Sequence, residues 1–322
     1  VVKWTPGAEV VMERNDSWSC GPAPKIKRVI WRMVPSPSNR RALLERGDAD
    51  VSYDLPSKDF AELKGNAALK IVSTPFSNGV QYIGMNVTKP PFNDVRVRRA
   101  VAYALPYQKI MDAVLFGLGK PMFGRKPGTP TEVAWPQPHQ YDTDIAKAKQ
   151  LMAEAGYANG FDTTLSFDLG FAVVNEPLCV LAQESLAQIG IRTTINKIPG
   201  SNWRAELTKK ELPLYTNVFS GWLDYPEYFF FWCYDGQNSI FNTMSYQNPA
   251  MDKLIAAARN AAAIGDKPTY DASVKGFVDL AFEDVPRIPL FQPYSNVAMQ
   301  KNVDGYAYWF HRRLDYRTMS KS

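Results

Sequence analysis

Two kinds of hydrophobic pattern alternate along the chain, one with a period of two residues and one with helical spacing. Short alternating runs rich in β-branched residues predict strands, whereas apolar residues three and four positions apart predict helices. The predicted strands are 10–14, 27–33, 50–53, 69–73, 80–87, 163–167, 192–198, 214–220 and 288–297. The predicted helices are 38–46, 57–64, 95–105, 107–116, 143–155, 176–189, 202–209, 249–263 and 267–283. Strands that alternate with helices in this way indicate an α/β layer architecture.

Prolines modify the prediction for the last long strand. It contains Pro289 and Pro293, and proline has no N–H to donate to a neighbouring strand. We therefore expect this strand at the edge of a sheet or at a crossover between two parts of the chain.

Length and composition bound the class of protein. The chain has 322 residues, of which 45% are hydrophobic, which is enough for one large core or two modest ones and suggests about two domains. No apolar run reaches the roughly 18 residues that a membrane-spanning helix needs. The net charge of +5 is spread thinly along the chain, without the clustered Lys and Arg of a nucleic-acid-binding surface. We expect no nucleic-acid partner.

Residues that commonly bind metals or carry nucleophilic chemistry are scarce. Cys20, Cys179 and Cys233 are far apart and match no metal-binding or CxxC spacing. The only histidines are His139 and His311, so a His-based metal site or a His-centred triad is poorly supplied. We expect neither a metal nor a cofactor, and the spacing does not decide whether any cysteines pair.

One stretch carries the features of a ligand site. The predicted strand 214–220 runs into Gly221-Trp222-Leu223-Asp224, and an aromatic run, 228–232, follows. Open α/β sheets place ligand sites at strand ends, where an aromatic face and a fixed negative charge would suit a cationic group. The alternative is a core tryptophan with an aspartate that caps a turn.

The first residues, Val1-Val2-Lys3-Trp4, include no initiator Met, and no basic segment or apolar leader follows them. We therefore expect a mature product or a fragment of a longer protein.

Several blocks, in order, resemble one family, the peptide- and nickel-type extracellular solute-binding proteins of ABC importers (family 5). The most specific is Pro91-Phe92-Asn93-Asp94-Val95-Arg96-Val97-Arg98-Arg99-Ala100, which resembles the family pattern P-F-x-D-x-R-V-R-x-A. The other matching segments are 4–18, 47–50, 144–157, 246–252 and 284–290. Each block alone is weak, but their order and spacing together make the resemblance specific over almost the whole chain.

The resemblance implies a fold and a domain organisation. It implies an α/β, periplasmic-binding-protein-like (type II) fold with two lobes joined by hinge strands, one lobe being incomplete. Residues 1–81 and 297–322 would form partial lobe I, and residues 82–296 a second α/β lobe that carries the ligand-anchor motif. The chain would then be the C-terminal portion of a protein whose N-terminal part it lacks, and we expect weak binding by these residues alone.

The resemblance also implies a function. It implies an exported, periplasmic receptor, expected to be a monomer without chemistry of its own. The receptor would bind a peptide or related amine-bearing solute between its lobes and deliver it to an ABC permease in the inner membrane. By resemblance Asp224 holds the α-amino group of the ligand and Trp222 packs over the ligand backbone. We add Tyr82 and Trp203 as candidates for the wall of the site.

One departure from the family and two alternatives remain. Dipeptide-binding members carry an Arg near the start of the helix at 176–189, where it meets the ligand carboxylate, but residues 173–177 contain none. The sequence therefore leaves open whether the ligand is a longer peptide, an amine or another solute. The alternatives are a hydrolase that uses Asp224 and Glu227 in an aromatic cleft and a chaperone-like peptide binder.

Overall fold

The computed structural model describes residues 1–76, 79–121, 141–220, 223, 225–238, 240–309 and 315–322. These residues form two compact units, unit 1 from Val1–Pro75 and Tyr294–Ser322 and unit 2 from Phe76–Pro293. Within the described ranges, no helix combines the length and the apolar character required to cross a bilayer. The assignment of lobes to 1–81 with 297–322 and to 82–296 stays a prediction.

Unit 1 begins with a small antiparallel sheet and continues through short helices and strands. Its elements before the first crossing are β1 (Lys3–Thr5), β2 (Glu9–Glu13), β3 (Arg28–Arg32), α1 (Pro37–Glu45), β4 (Val51–Tyr53), α2 (Ser57–Leu63) and β5 (Leu69–Pro75). Strands β1, β2 and β3 pair in that order. Val297 and Met299, which return to this unit late in the chain, lie in its core with Val303 and Met319.

Unit 2 is one continuous segment and holds most of the helices. Its strands are β6 (Gly79–Met85), β7 (Gly119–Pro121), β8 (Phe161–Asp168), β9 (Ile191–Ile198) and β10 (Leu214–Ser220). Its helices are α3 (Val95–Ala104), α4 (Tyr107–Lys109, continued by a π-helical turn, Ile110–Val114), α5 (Ile145–Glu154), α6 (Ala172–Ala187), α7 (Gly200–Lys209), α8 (Pro226–Tyr234), α9 (Pro249–Ile264) and α10 (Lys267–Asp284), and a 3-10 turn, Leu169–Phe171, precedes α6. Strand β11 (Arg287–Gln300) begins in unit 2 and ends in unit 1, where β12 (Val303–Asp304) and β13 (Ser320–Lys321) pair with each other.

The sheet of unit 2 mixes parallel and antiparallel strands. β8 pairs in parallel with both β9 and β10, and β10 pairs antiparallel with β6. The first part of β11 pairs antiparallel with β6. Helices and strands interleave as the hydrophobic pattern predicts, so the predicted α/β class is confirmed.

The course of β11 agrees with the expectation of an edge or a crossover. From Val297 to Met299 the strand is flanked by both β4 and β5, so it is not at an edge there. The two prolines lie earlier in the strand. Pro289 lies where the register with β6 shifts, and Pro293 is the last residue before the chain enters unit 1. The strand is therefore a crossover, and Pro289 lies where its pairing with β6 is irregular.

Candidate functional site

Three parallel strands of unit 2 end together at one edge of the sheet. Because β8, β9 and β10 run in the same direction, their last residues, Asp168, Ile198 and Ser220, lie at the same edge. The chain then enters α6 and α7 directly, with Gly200 so close to β8 that an added Cβ would lie 3.1 Å from Asp168 Oδ1. The carboxyl edge of such strands, followed by helix N-termini, is where open α/β sheets bind ligands.

The predicted anchor segment leaves this edge. Trp222 and Asp224 lie outside the described residues, but they follow the last residue of β10, Ser220, which is exposed. Their neighbours are described: Leu223 is 49% exposed and Tyr225 is 56% exposed. Two large apolar side chains open to solvent beside the predicted anchor are consistent with a binding surface.

The two predicted wall residues lie close together and are buried. Asn217 connects them: its Nδ2 donates to the Tyr82 hydroxyl at 3.1 Å, and its Oδ1 accepts from Trp203 Nε1 at 3.2 Å. Tyr215 packs edge-on against both rings, with centroid distances of 6.3 Å to Tyr82 and 6.4 Å to Trp203. Only 2% of Tyr82 and 6% of Trp203 is exposed, so their contact with a solute stays a prediction.

A buried cation supports this aromatic cluster, and the sequence analysis missed it. The Arg287 guanidinium lies 3.9 Å from the centre of the Tyr82 ring and 5.4 Å from that of Tyr234. Its Nε and Nη2 donate to the sulfur of Met244 at 3.3 Å and 3.0 Å. Burial raises the pKa of the neighbouring Cys233 thiol to about 11, so this thiol is not an anionic partner near neutral pH. In the sequence, the signal for this role of Arg287 was its place directly before the apolar run 288–291.

The start of α6 differs from what dipeptide-binding members would require. Asn175 is buried and accepts a hydrogen bond from Gln81 Nε2 at 3.2 Å, while Glu176 forms an ion pair with Lys197. Phe171 at 53% and Val173 at 45% are exposed apolar residues here, and the Glu176 side chain is also 44% exposed. The start of α6 therefore offers a ligand apolar side chains and one paired acid, but no Arg.

A cavity of about 940 Å³ lies within unit 2 beside the anchor segment, and its walls include Leu223, Tyr225 and Glu227. The Glu227 carboxylate, the second acid of the hydrolase alternative, accepts a hydrogen bond from the Tyr270 hydroxyl at 2.6 Å. Burial and this contact raise the pKa of Tyr270, so the hydroxyl stays protonated and remains the donor.

Metal binding finds little support in the described part of the chain. No three His, Cys, Asp or Glu side chains of the described residues cluster so as to hold a metal ion. Cys20, Cys179 and Cys233 are all described, and none of the three forms a disulfide.

The chain matches known proteins along most of its length. The sequence profile of the bacterial extracellular solute-binding proteins, family 5 (middle), matches residues 1–241. The glutathione-binding protein GsiB of Salmonella choleraesuis (strain SC-B67) is 31% identical over 90% of this chain. The alignment covers 56% of GsiB, so the chain spans about half the length of the curated relatives that it matches.

Solved structures show the same fold. DppA of Helicobacter pylori, solved with the peptide STSA, superposes with a TM-score of 0.84 at 22% identity, over 99% of this chain and 61% of its own. AppA of Bacillus subtilis, solved with a nonapeptide, gives 0.79 at 24% identity, over 99% of this chain and 65% of its own. This is the periplasmic-binding-protein fold that the resemblance implied. The chain belongs to the bacterial extracellular solute-binding proteins, family 5.

Proposed function

We propose that this chain belongs to the solute-binding receptor of an ABC importer, which binds a peptide or a related amine-bearing solute and delivers it to a membrane permease. Family membership supports the receptor role. The ligand class is supported by relatives named for glutathione and solved with peptides, because glutathione is itself a tripeptide. The receptor acts outside the cytoplasm, as a periplasmic monomer without a cofactor.

The observation that supports the proposal is the end of β10. Its last residue, Ser220, lies at the carboxyl edge where β8 and β9 also end, and Gly221-Trp222-Leu223-Asp224 follow it in the sequence. In this proposal Asp224 binds the ammonium group and Trp222 packs over the ligand backbone. Tyr82 and Trp203 stabilise the strand behind them through Asn217.

The test replaces the anchor and modifies the ligand in parallel. Because we expect weak binding by these residues alone, glutathione and Ser-Thr-Ser-Ala are titrated to millimolar concentration, with binding followed by NMR, into the wild-type chain, Asp224→Ala and Asp224→Asn. Loss of one partner of a desolvated charge pair costs about 2–5 kcal/mol, so both variants should bind at least about thirtyfold more weakly. The wild type should discriminate to the same extent against an N-acetylated peptide. Equal binding of the free and acetylated peptides would show that Asp224 does not bind the ammonium group.

The hydrolase alternative is not favoured, because the matching family and the named relatives are solute-binding proteins. It would require Glu227, which accepts a hydrogen bond from the Tyr270 hydroxyl at 2.6 Å, to act as the second catalytic acid beside Asp224. The expected outcome is that peptides recovered from the protein are chemically unchanged. Turnover that disappears in Glu227→Gln would instead establish the enzyme.

A further inference from the structure

The cavity beside the anchor segment has mostly apolar walls from three helices. Tyr225 directly precedes α8 and Phe231 lies within it, and Ala261 and Ala262 come from the end of α9. Residues from the first turns of α10 line another side. At about 940 Å³ the cavity lies in the range of small-molecule sites.

Most charged groups that line the cavity are already paired. Glu227 accepts from Tyr270, and Lys267 forms an ion pair with Asp271. Asp266 accepts from the backbone N–H of Thr269 at 3.2 Å and so caps α10. These side chains already have partners, although a hydroxyl and a backbone N–H are neutral donors and do not cancel the charge of a carboxylate.

Arg259 is the exception. Its guanidinium carbon lies 4.1 Å from the centre of the Phe231 ring. Among the described residues, no carboxylate lies within ion-pair distance of this guanidinium. A guanidinium that covers an aromatic ring directs its N–H groups sideways, in the plane where a carboxylate can accept two of them. Among the described residues, Arg259 is thus the charged group of the cavity that has no hydrogen-bond or ion-pair partner, and its surroundings are aromatic.

We propose that this cavity binds an apolar, aromatic-bearing group that ends in a carboxylate, and that Arg259 receives the carboxylate. The inference rests on the proposed function, in which the occupant is part of the transported solute. Asp224 would bind the amine end of that solute, and Arg259 would bind a carboxylate elsewhere in it. It also offers a partner for the carboxylate that the apolar start of α6 does not bind.

The first test uses a probe that needs no amine site. 3-Phenylpropionate and 3-phenylpropionamide are titrated into the full 322-residue chain by NMR, with Arg259→Gln and Lys253→Gln as variants. Lys253 is a matched control because it is an exposed cation of the same helix that does not line the cavity. The acid should bind with millimolar affinity, about tenfold more tightly than the amide.

The variants decide the assignment. Arg259→Gln should bind the acid and the amide equally, whereas Lys253→Gln should keep the tenfold preference. Equal binding of acid and amide by the wild type, or an undiminished preference in Arg259→Gln, would overturn the proposal.

A second arm distinguishes the sources of the carboxylate. Ser-Thr-Ser-Phe with a free C-terminus is compared with its C-terminal amide in wild type, Arg259→Gln and Asp224→Ala. If the carboxylate is the end of the bound peptide, amidation weakens binding only where Arg259 is present. If amidation has no effect while phenylpropionate still depends on Arg259, the cavity takes a separate aromatic acid. Peptide binding that is insensitive to Asp224→Ala would overturn the proposed function and leave the Arg259 result standing.

Discussion

Arg287 stabilises the aromatic cluster behind the candidate site through its charge rather than through a carboxylate. Its side chain is 1% exposed, and its guanidinium lies over Tyr82 at 3.9 Å. Among the described residues, its Nη1 has no hydrogen-bond partner. The cost of this burial is offset by ring faces, each contributing up to about 2 kcal/mol when desolvated.

Two buried thiols make the free energy of unfolding depend on pH in the alkaline range. Burial raises the pKa of Cys233 to about 11 and that of Cys179 to about 12, from an ordinary value of 9.0. Above pH 9 the unfolded chain releases these protons while the folded chain retains them. The contribution of the thiols to the free energy of unfolding is therefore fully present below about pH 9. It is lost as pH rises through the folded-state pKa values, by up to about 1.4 kcal/mol per pH unit for each thiol.

Urea unfolding at pH 8 and pH 10.5 measures this loss. Cys233→Ala should reduce the difference between the two free energies of unfolding by about 2 kcal/mol. Cys20→Ala, which removes an exposed thiol, should leave the difference unchanged. The same alkaline loss in all three proteins would show that Cys233 does not remain protonated in the folded state.

At the scale of elements, the pairing of β6 with β10 depends on one close approach. Gly84 faces Tyr215 across the pair, and a Cβ on Gly84 would lie 2.5 Å from the Tyr215 ring. The Tyr215 hydroxyl forms a hydrogen bond with Thr243 Oγ1 at 2.5 Å, so the ring cannot retreat without losing that contact. Glycine is needed here for space.

Gly84→Ala should therefore destabilise the chain by about 1–3 kcal/mol, the usual cost of overpacking a core. Gly65→Ala is the control, because its new Cβ would meet only Glu62 O at 3.5 Å. We expect the control to change the free energy of unfolding, measured in urea, by less than about 0.5 kcal/mol. If Gly84→Ala left the free energy of unfolding unchanged, the Tyr215 ring would have an alternative position.

The elements also show where hydrophobic pattern stops being informative. Strand β10 was predicted with its observed bounds, because its β-branched and aromatic residues favour one conformation. Helix α8 was not predicted from the aromatic run 228–232. One side of the helix buries Phe229 and Phe230, and the other side lines the cavity with Phe231. A helix that is apolar on both sides has no amphipathic period to detect.

At the scale of the whole molecule, family blocks indicated the fold, but residues without a local pattern escaped detection. Arg259 lies on α9 and Phe231 on α8, so only tertiary packing brings them together. Arg287 likewise contacts rings from β6 and α8. Sequence reasoning proposed an anchor because Gly221, Trp222 and Asp224 lie close together along the chain, and that anchor stays a prediction. It could not locate a cavity assembled from three helices.

The two units also differ in continuity, and this leads to a further prediction. Unit 2 is one unbroken segment whose core residues come from within it, whereas unit 1 is built from two segments and leaves Trp4 71% exposed. A polypeptide of residues 76–293 should therefore fold alone, with one cooperative urea transition and a near-UV circular dichroism signal from its packed aromatic residues.

Because the Arg259 cavity lies wholly within unit 2, residues 76–293 should bind 3-phenylpropionate as tightly as the full chain. The same segment carrying Gly84→Ala is a useful comparison, since its unfolding midpoint should fall while its cavity residues stay unchanged. A non-cooperative transition in residues 76–293 would show that unit 2 needs unit 1 to fold. A cooperative segment that fails to bind the acid would show that the cavity requires residues from outside unit 2.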